Sequence, residues 1–191
     1  LTKIDSAGIF TSTLDMYVNG YRLGKGAATT GSDNLAFGQN ALNSNTTGSG
    51  NFAIGAGALQ SNTTGGNNFA LGNNSLINAT TGDLNMALGS GVMFYTTTGY
   101  YNVGIGFGSL RTNTSGYANI GIGYYAGRYT QSINAIAIGA QAGNTFQRQN
   151  AIAIGETAGQ IIQGTWAIAM GYQSGQVSQG TFGVAIGYIA G

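Results

Sequence analysis

The chain has 191 residues, 35 of them glycine and 42% apolar, with six basic and five acidic side chains for a net charge of +1. Proline, cysteine and histidine are absent, which removes a disulfide framework, thiolate or imidazole metal sites and histidine-based acid–base catalysis. So little charge gives no reason to expect nucleic acid or an anionic membrane surface as a partner. No apolar run approaches the ~20 residues of a membrane-inserted helix, and glycine without a Gly-x-y triplet or proline excludes collagen.

In chain order, residues 1–30 carry no repeat and read as an N-terminal cap or connector. They open Leu1-Thr2-Lys3 without the basic and apolar regions of a signal peptide, and the chain reads as a segment of something longer. From residue 31 to 191 a single motif recurs. Its closing glycine falls at Gly38, Gly55, Gly72, Gly89, Gly106 and Gly123, a spacing of 17, then at Gly139, Gly155, Gly171 and Gly187, a spacing of 16. Ten registers without a slip define a repeat domain over 31–191, with 17-residue coils to about 127 and 16-residue coils after it. Coils this short cannot bury a core alone, so they must stack on one another. The expected fold is all-β, a parallel β-roll or β-solenoid of ten coils extending on the order of 50 Å.

The three residues before each closing glycine alternate large, small, large, as in Phe52-Ala53-Ile54, Met86-Ala87-Leu88 and Ile152-Ala153-Ile154. Period-two alternation with β-branched and aromatic residues predicts a strand. The small position is Ala or Gly in every coil, so both faces are expected to be buried. The large residues are assigned to the coil interior. The small face, with Ala53, Ala70, Ala87, Ala137, Ala153, Ala169 and Ala185, is expected to meet a second subunit. The alternative is that the small face lines a thin roll interior.

After the glycine the repeat turns at Leu42, Leu59, Leu76, Met93 and Leu110, replaced later by Gly127, Gly143, Gly159 and Gly175. A polar second strand follows, expected to face water. In it Thr46, Thr63, Thr80, Thr97 and Thr114 give way to Gln131, Gln147, Gln163 and Gln179. Stacked at ~4.8 Å, such ladders satisfy their own hydrogen bonds along the stack. Asn34, Asn51, Asn68, Asn85, Asn102 and Asn119 hold one further fixed position and read as corner residues. Asn45-Thr46-Thr47 and Asn62-Thr63-Thr64 match the glycosylation pattern N-x-S/T, which is too short and common to carry a function.

Asn51-Phe52-Ala53-Ile54-Gly55, Ala58-Leu59 and Asn62-Thr63-Thr64-Gly65 resemble the repeats of certain bacteriophage tail-fibre proteins. The apolar-Ala-apolar-Gly tetrad also resembles the head repeats of trimeric autotransporter adhesins. The lead-in Val18-Asn19-Gly20-Tyr21-Arg22-Leu23-Gly24-Lys25-Gly26 is similar to the segment that precedes the repeats in such fibres, so the resemblance covers about residues 18–191. It implies a left-handed roll in a parallel homotrimer. The function implied is a structural or attachment segment of a viral (phage tail) fibre, on the virion, that contributes to host-cell recognition. The other function implied is the head of a bacterial trimeric surface adhesin, at the cell surface. Adhesin heads typically use shorter coils, so no receptor residues carry over from them.

An enzyme is not expected, nor a cofactor or metal. Asp5, Asp15, Asp33, Asp83 and Glu156 lie apart and no two share a phase of the repeat, which disfavours a glycosidase pair. Gly104-Ile105-Gly106 and Gly121-Ile122-Gly123 are repeat glycines rather than a phosphate loop. Ice binding through the Thr ladder is a minor alternative, weakened because no Thr-x-Thr double row arises and the ladder ends after five coils. For receptor contact, departures from the consensus are informative. Arg111, Tyr124, Tyr125, Arg128 and Tyr129 gather where the coil shortens, with Arg111 in the same phase as Arg128 and Tyr95, Tyr100, Tyr101 and Tyr117 nearby. Tyrosine and arginine suit recognition, so the expected partner is a host-surface glycan or protein. The plainer alternative is filler that absorbs the change in coil length.

Overall fold

The computed structural model describes residues 2–4, 10–12, 15–19, 21–25 and 33–191, and these contain strands and turns but no helix. Asp5 and the lead-in glycines Gly20 and Gly26 lie outside the described residues. β1 (Thr2–Ile4) and β2 (Phe10–Ser12) form an antiparallel pair. β3 (Met16–Val18) and β4 (Tyr21–Gly24) form a hairpin, and β4 lies antiparallel to β5 (Leu35–Gly38). Each following long coil adds one parallel strand: β6 (Phe52–Ile54), β7 (Phe69–Leu71), β8 (Met86–Leu88), β9 (Val103–Ile105) and β10 (Ile120–Ile122). The register is strict, with Ala53 beside Ala70 and Ala70 beside Ala87.

From Tyr129 on, two sheets are fed alternately by β11 (Tyr129–Gln131), β12 (Ile136–Ile138), β13 (Thr145–Gln147), β14 (Ile152–Ile154), β15 (Ile161–Gln163), β16 (Ile168–Met170), β17 (Val177–Gln179) and β18 (Val184–Ile186). Strands β12, β14, β16 and β18 bring the first sheet to 12 strands, and β11, β13, β15 and β17 make a second, parallel sheet of four. The result is a β-solenoid of about ten turns. The second strand expected in every coil forms only in the short ones. In the long coils the same side is turn-like, yet its backbone still bonds coil to coil, Thr46 N donating to Thr63 O at 2.8 Å and Thr63 N to Thr80 O at 2.9 Å.

The closing glycine sets the pitch. Its φ runs from 104° at Gly106 to 142° at Gly38, a region that side chains rarely enter. A Cβ on Gly55 would also lie 2.5 Å from the carbonyl oxygen of Gly72 in the next coil. The corner before each strand, by contrast, is not turned by the fixed asparagine. The preceding residue takes the left-handed conformation, as at Gly50, Asn67, Leu84, Tyr101 and Ala118. The asparagines point inward and form their own ladder. Asn68 donates from its backbone N (3.0 Å) and Nδ2 (3.1 Å) to Asn51 Oδ1, and Asn68 Nδ2 also reaches Gly82 O at 2.7 Å.

The two strand faces are reversed from the sequence expectation. Ala53, Ala70, Ala87, Ala137, Ala153 and Ala169 are 0% exposed and Ala185 is 5% exposed within a single chain, so none is available to a second subunit. They line the coil interior, and the large residues point outward. The physical reason is space. The roll is so thin that one large side chain per coil fills it, and that side chain comes from elsewhere.

In the long coils the filler is Leu42, Leu59, Leu76, Met93 or Leu110, fully buried and held at φ 48–50°. In the short coils Gly127, Gly143, Gly159 and Gly175 keep that backbone turn, and the space is filled from the opposite wall by glutamine. A Cβ on Gly143 would lie 2.5 Å from Gln147 Oε1, so leucine and glutamine exclude each other. Gln131, Gln147 and Gln163 are therefore buried, which corrects the expectation of a water-facing ladder. Gln147 Nε2 donates to Ile136 O (2.6 Å), Ala151 O (3.0 Å) and Gln163 Oε1 (3.0 Å), while its own Oε1 accepts no hydrogen bond.

At the N-terminal edge of the stack, buried Arg22 stands in for a missing coil. Its Nη1 donates to Ala41 O at 2.9 Å and to Leu42 O at 3.2 Å, and its Nη2 to Asn43 Oδ1 at 3.4 Å. Asp15 holds its Nε at 3.1 Å. In later coils the carbonyl at the Ala41 position accepts from the coil before it, as Ala58 O does from Leu42 N. Arg22 supplies that donor where no earlier coil exists.

Candidate functional site

Stacking converts each repeat phase into a column, so residues 16 or 17 apart become neighbours. Phe94, Arg111 and Arg128 share one column, and the structure gathers all five residues expected at the receptor patch. The Arg128 guanidinium lies 4.1 Å from the Tyr125 ring centroid and 4.7 Å from that of Tyr129. Arg111 lies 4.9 Å from Phe94 and 5.9 Å from Tyr95. Tyr124 packs on Tyr125 at 4.3 Å, and Phe107 stacks on Tyr124 at 5.9 Å. Two glycines make the shelf beneath them. A Cβ on Gly108 would collide with the Tyr125 ring, and one on Gly91 would come within 3.3 Å of Arg111 Nη1. Tyr95 joins this patch through Arg111. Tyr100, Tyr101 and Tyr117 form a separate cluster at the other corner of the coil, with centroids 4.8–5.9 Å apart.

The change in coil length opens the stack beside the arginines. In the long coils two successive backbone N–H groups donate to one threonine carbonyl of the next coil, as Thr97 and Thr98 do to Thr114 O. At the step the acceptor coil is one residue shorter. Thr114 N turns instead to Thr112 O of its own coil at 3.0 Å, and Ser115 N makes no such bond to the next coil. A notch of about 370 Å³ results, lined by Thr112–Gly116 above and Thr130–Ile133 below. An apolar groove of about 400 Å³ continues from it past Thr130 and Ser132 to Phe146, Arg148 and Ile162.

Buried polar atoms without a partner occur along the stack, at Asn62 Oδ1, Ser109 Oγ and Gln147 Oε1 as well as at the step. Buried Asn119 Nδ2, Arg128 Nε and Gln131 Oε1 have no hydrogen-bond partner. Each ends or begins a ladder at the step. Asn102 Nδ2, one coil earlier, still donates to Gly116 O at 2.8 Å. No carboxylate is paired with Arg111, Arg128 or Arg148 among the described residues.

Other candidate chemistry is used up by the fold. Thr46, Thr63, Thr80 and Thr97 donate their hydroxyls at 2.8–3.2 Å to the next coil's threonine carbonyl, so four of the five hydroxyls of that ladder are engaged within the stack. Asn45 and Asn62 are buried, with Nδ2 donating to Gly48 O and Gly65 O at 2.9 Å, which closes both glycosylation motifs. Among the described residues no group of three metal-ligating side chains occurs. Sequence reasoning missed Phe94, whose phase with Arg111 was legible, and the notch, which follows from the deleted residue only once the ladder bonds are known.

The fold and this patch define the class of a β-solenoid repeat protein. Comparison of the chain with family models, curated proteins and solved structures gave no match.

Proposed function

We propose that the chain is a structural and attachment segment of a homotrimeric viral fibre of the phage-tail type, a left-handed roll that helps a virion recognise its host cell. The observation that supports this is the outward face of the first sheet. Ten strands each present two large apolar side chains there, such as Phe52 and Ile54 or Ile152 and Ile154, all half-buried or exposed within one chain, Val184 reaching 66%. Together they leave on the order of 1000 Å² of contiguous apolar surface, more than a lone soluble chain usually shows and about what one partner contributes to a stable interface.

Such a stripe, straight and as long as the stack, suits parallel copies related by an axis along the solenoid, since each coil then meets its own equivalents. The subunit contact thereby moves from the alanine column to the isoleucine and phenylalanine columns beside it. The second side of the coil, with the notch and the arginines, is left facing outward. This reading is of a binding scaffold rather than an enzyme. Sedimentation equilibrium should give a mass near three times 19.4 kDa. A stable monomer would end the fibre reading, and adsorption of the segment to bacterial cells would separate an attachment role from a passive shaft.

A further inference from the structure

We propose that the step between the two coil lengths is a binding site for an acidic saccharide chain. The proposal deepens the attachment reading by naming the ligand class at that patch. Charge is the first argument. Between residues 84 and 155 the sequence has three arginines, Arg111, Arg128 and Arg148, and no carboxylate. Arg111 and Arg128 are one coil apart in a single column, about 4.8 Å along the stack, and Arg148 lines the groove that leaves the notch. Like charges in neighbouring coils without a counter-charge repel one another, less so where water screens them. An anion bridging them would relieve that repulsion.

Preorganisation is the second argument. Each of the paired guanidiniums rests against two aromatic rings, Arg128 on Tyr125 and Tyr129, Arg111 on Phe94 and Tyr95. Cation–π contact fixes the planes while leaving N–H edges free for bidentate carboxylate contact.

The lining of the notch supplies the third argument. Of its lining, Thr114, Ser115, Thr130 and Ser132 present hydroxyls at the surface and no charge, while the amides of Asn113 and Gln131 are buried and bonded within the chain. Side chains that both donate and accept match the hydroxyls of a sugar ring, and the flanking tyrosines offer faces for its C–H surface. A purely electrostatic surface would have lysines spread over it. This one sets a neutral polar notch next to the arginine column, with an apolar groove leading on to Arg148. Three arginines spread from the patch to the groove fit several acidic sugars in a row better than one.

The test uses the full chain and oligogalacturonate, with two matched controls: its methyl ester, which has the same sugar without the charge, and poly-L-glutamate, which has the charge without the sugar. Titration calorimetry should show oligogalacturonate binding about tenfold or more tighter than either control, because each charge-assisted contact is lost in the first and the hydroxyl contacts in the second. Arg111→Gln with Arg128→Gln should weaken it about tenfold, and raising salt from about 0.15 to 0.5 M should weaken it further. Circular dichroism should be unchanged in the variant, and Arg128→Lys alone, which keeps the charge, should recover only part of the binding because a lysine cannot make the bidentate contact.

No binding of oligogalacturonate, equal binding of either control, or unchanged affinity in the double variant would overturn the proposal. The fibre reading fails separately. A monomer that still binds oligogalacturonate keeps the site and loses the fibre, whereas a trimer that adsorbs to cells equally well with Arg111 and Arg128 replaced keeps the fibre and loses the site.

Discussion

At the scale of single residues, the alanine column shows how a correct pattern can be assigned to the wrong side. The alternation of Phe52, Ala53 and Ile54 gave the strand and its period. It did not give the inward direction, because direction depends on what else fills the roll. That filler, Leu59 or Gln147, lies on another part of the coil, and only the closed loop brings it opposite the alanine. Substituting Ala153→Leu therefore adds volume to a full interior. Overpacking of this kind costs about 1–3 kcal/mol, so thermal unfolding should shift downward while the oligomer that remains folded keeps its stoichiometry. Loss of assembly without loss of stability would instead place Ala153 at a subunit contact. The closing glycines needed no such context, since a recurrent Gly at fixed spacing already implied a backbone position closed to side chains.

At the scale of elements, the change from leucine to glutamine is one exchange made at two positions. Gly143 withdraws a side chain from one wall and Gln147 supplies it from the other. The sequence displayed both substitutions in phase with the shorter coil, but a polar residue in a predicted strand naturally read as solvent-facing. What reverses that reading is hydrogen bonding. Ile152 O and Ala167 O accept from Gln163 Nε2 at 2.6 and 3.2 Å, and water has no access to replace it. Gln163→Ala should cost about 2–3 kcal/mol through the unsatisfied carbonyls and the cavity. The comparison is Thr63→Ala on the half-buried threonine ladder, where the loss should be under about 1 kcal/mol because water can take the hydroxyl's place. Chemical denaturation of the two variants side by side checks the difference.

At the scale of the whole molecule, stability is a sum over neighbouring coils, and assembly is a property of one long face. Lysine at Ile136 and Ile152 would place two charges in the middle of that face without touching the coil interior. The expected outcome is a folded monomer by sedimentation, with a circular dichroism spectrum like that of the parent chain. The solenoid, its ten registers and the location of the irregular segment were all legible in the sequence, because each is a matter of counting. The notch was not, since it consists of bonds that the neighbouring coil fails to supply.

The single missing residue at the step has an evolutionary consequence. Duplicating or deleting a whole coil leaves every column intact and changes only the length of the shaft. Removing one residue from the last long coil, with the paired exchange of leucine for glycine and a glutamine opposite, would move the step up the stack by one storey. The position of the notch is thus written as an address in coil number, adjustable independently of overall length and of the face that joins the copies.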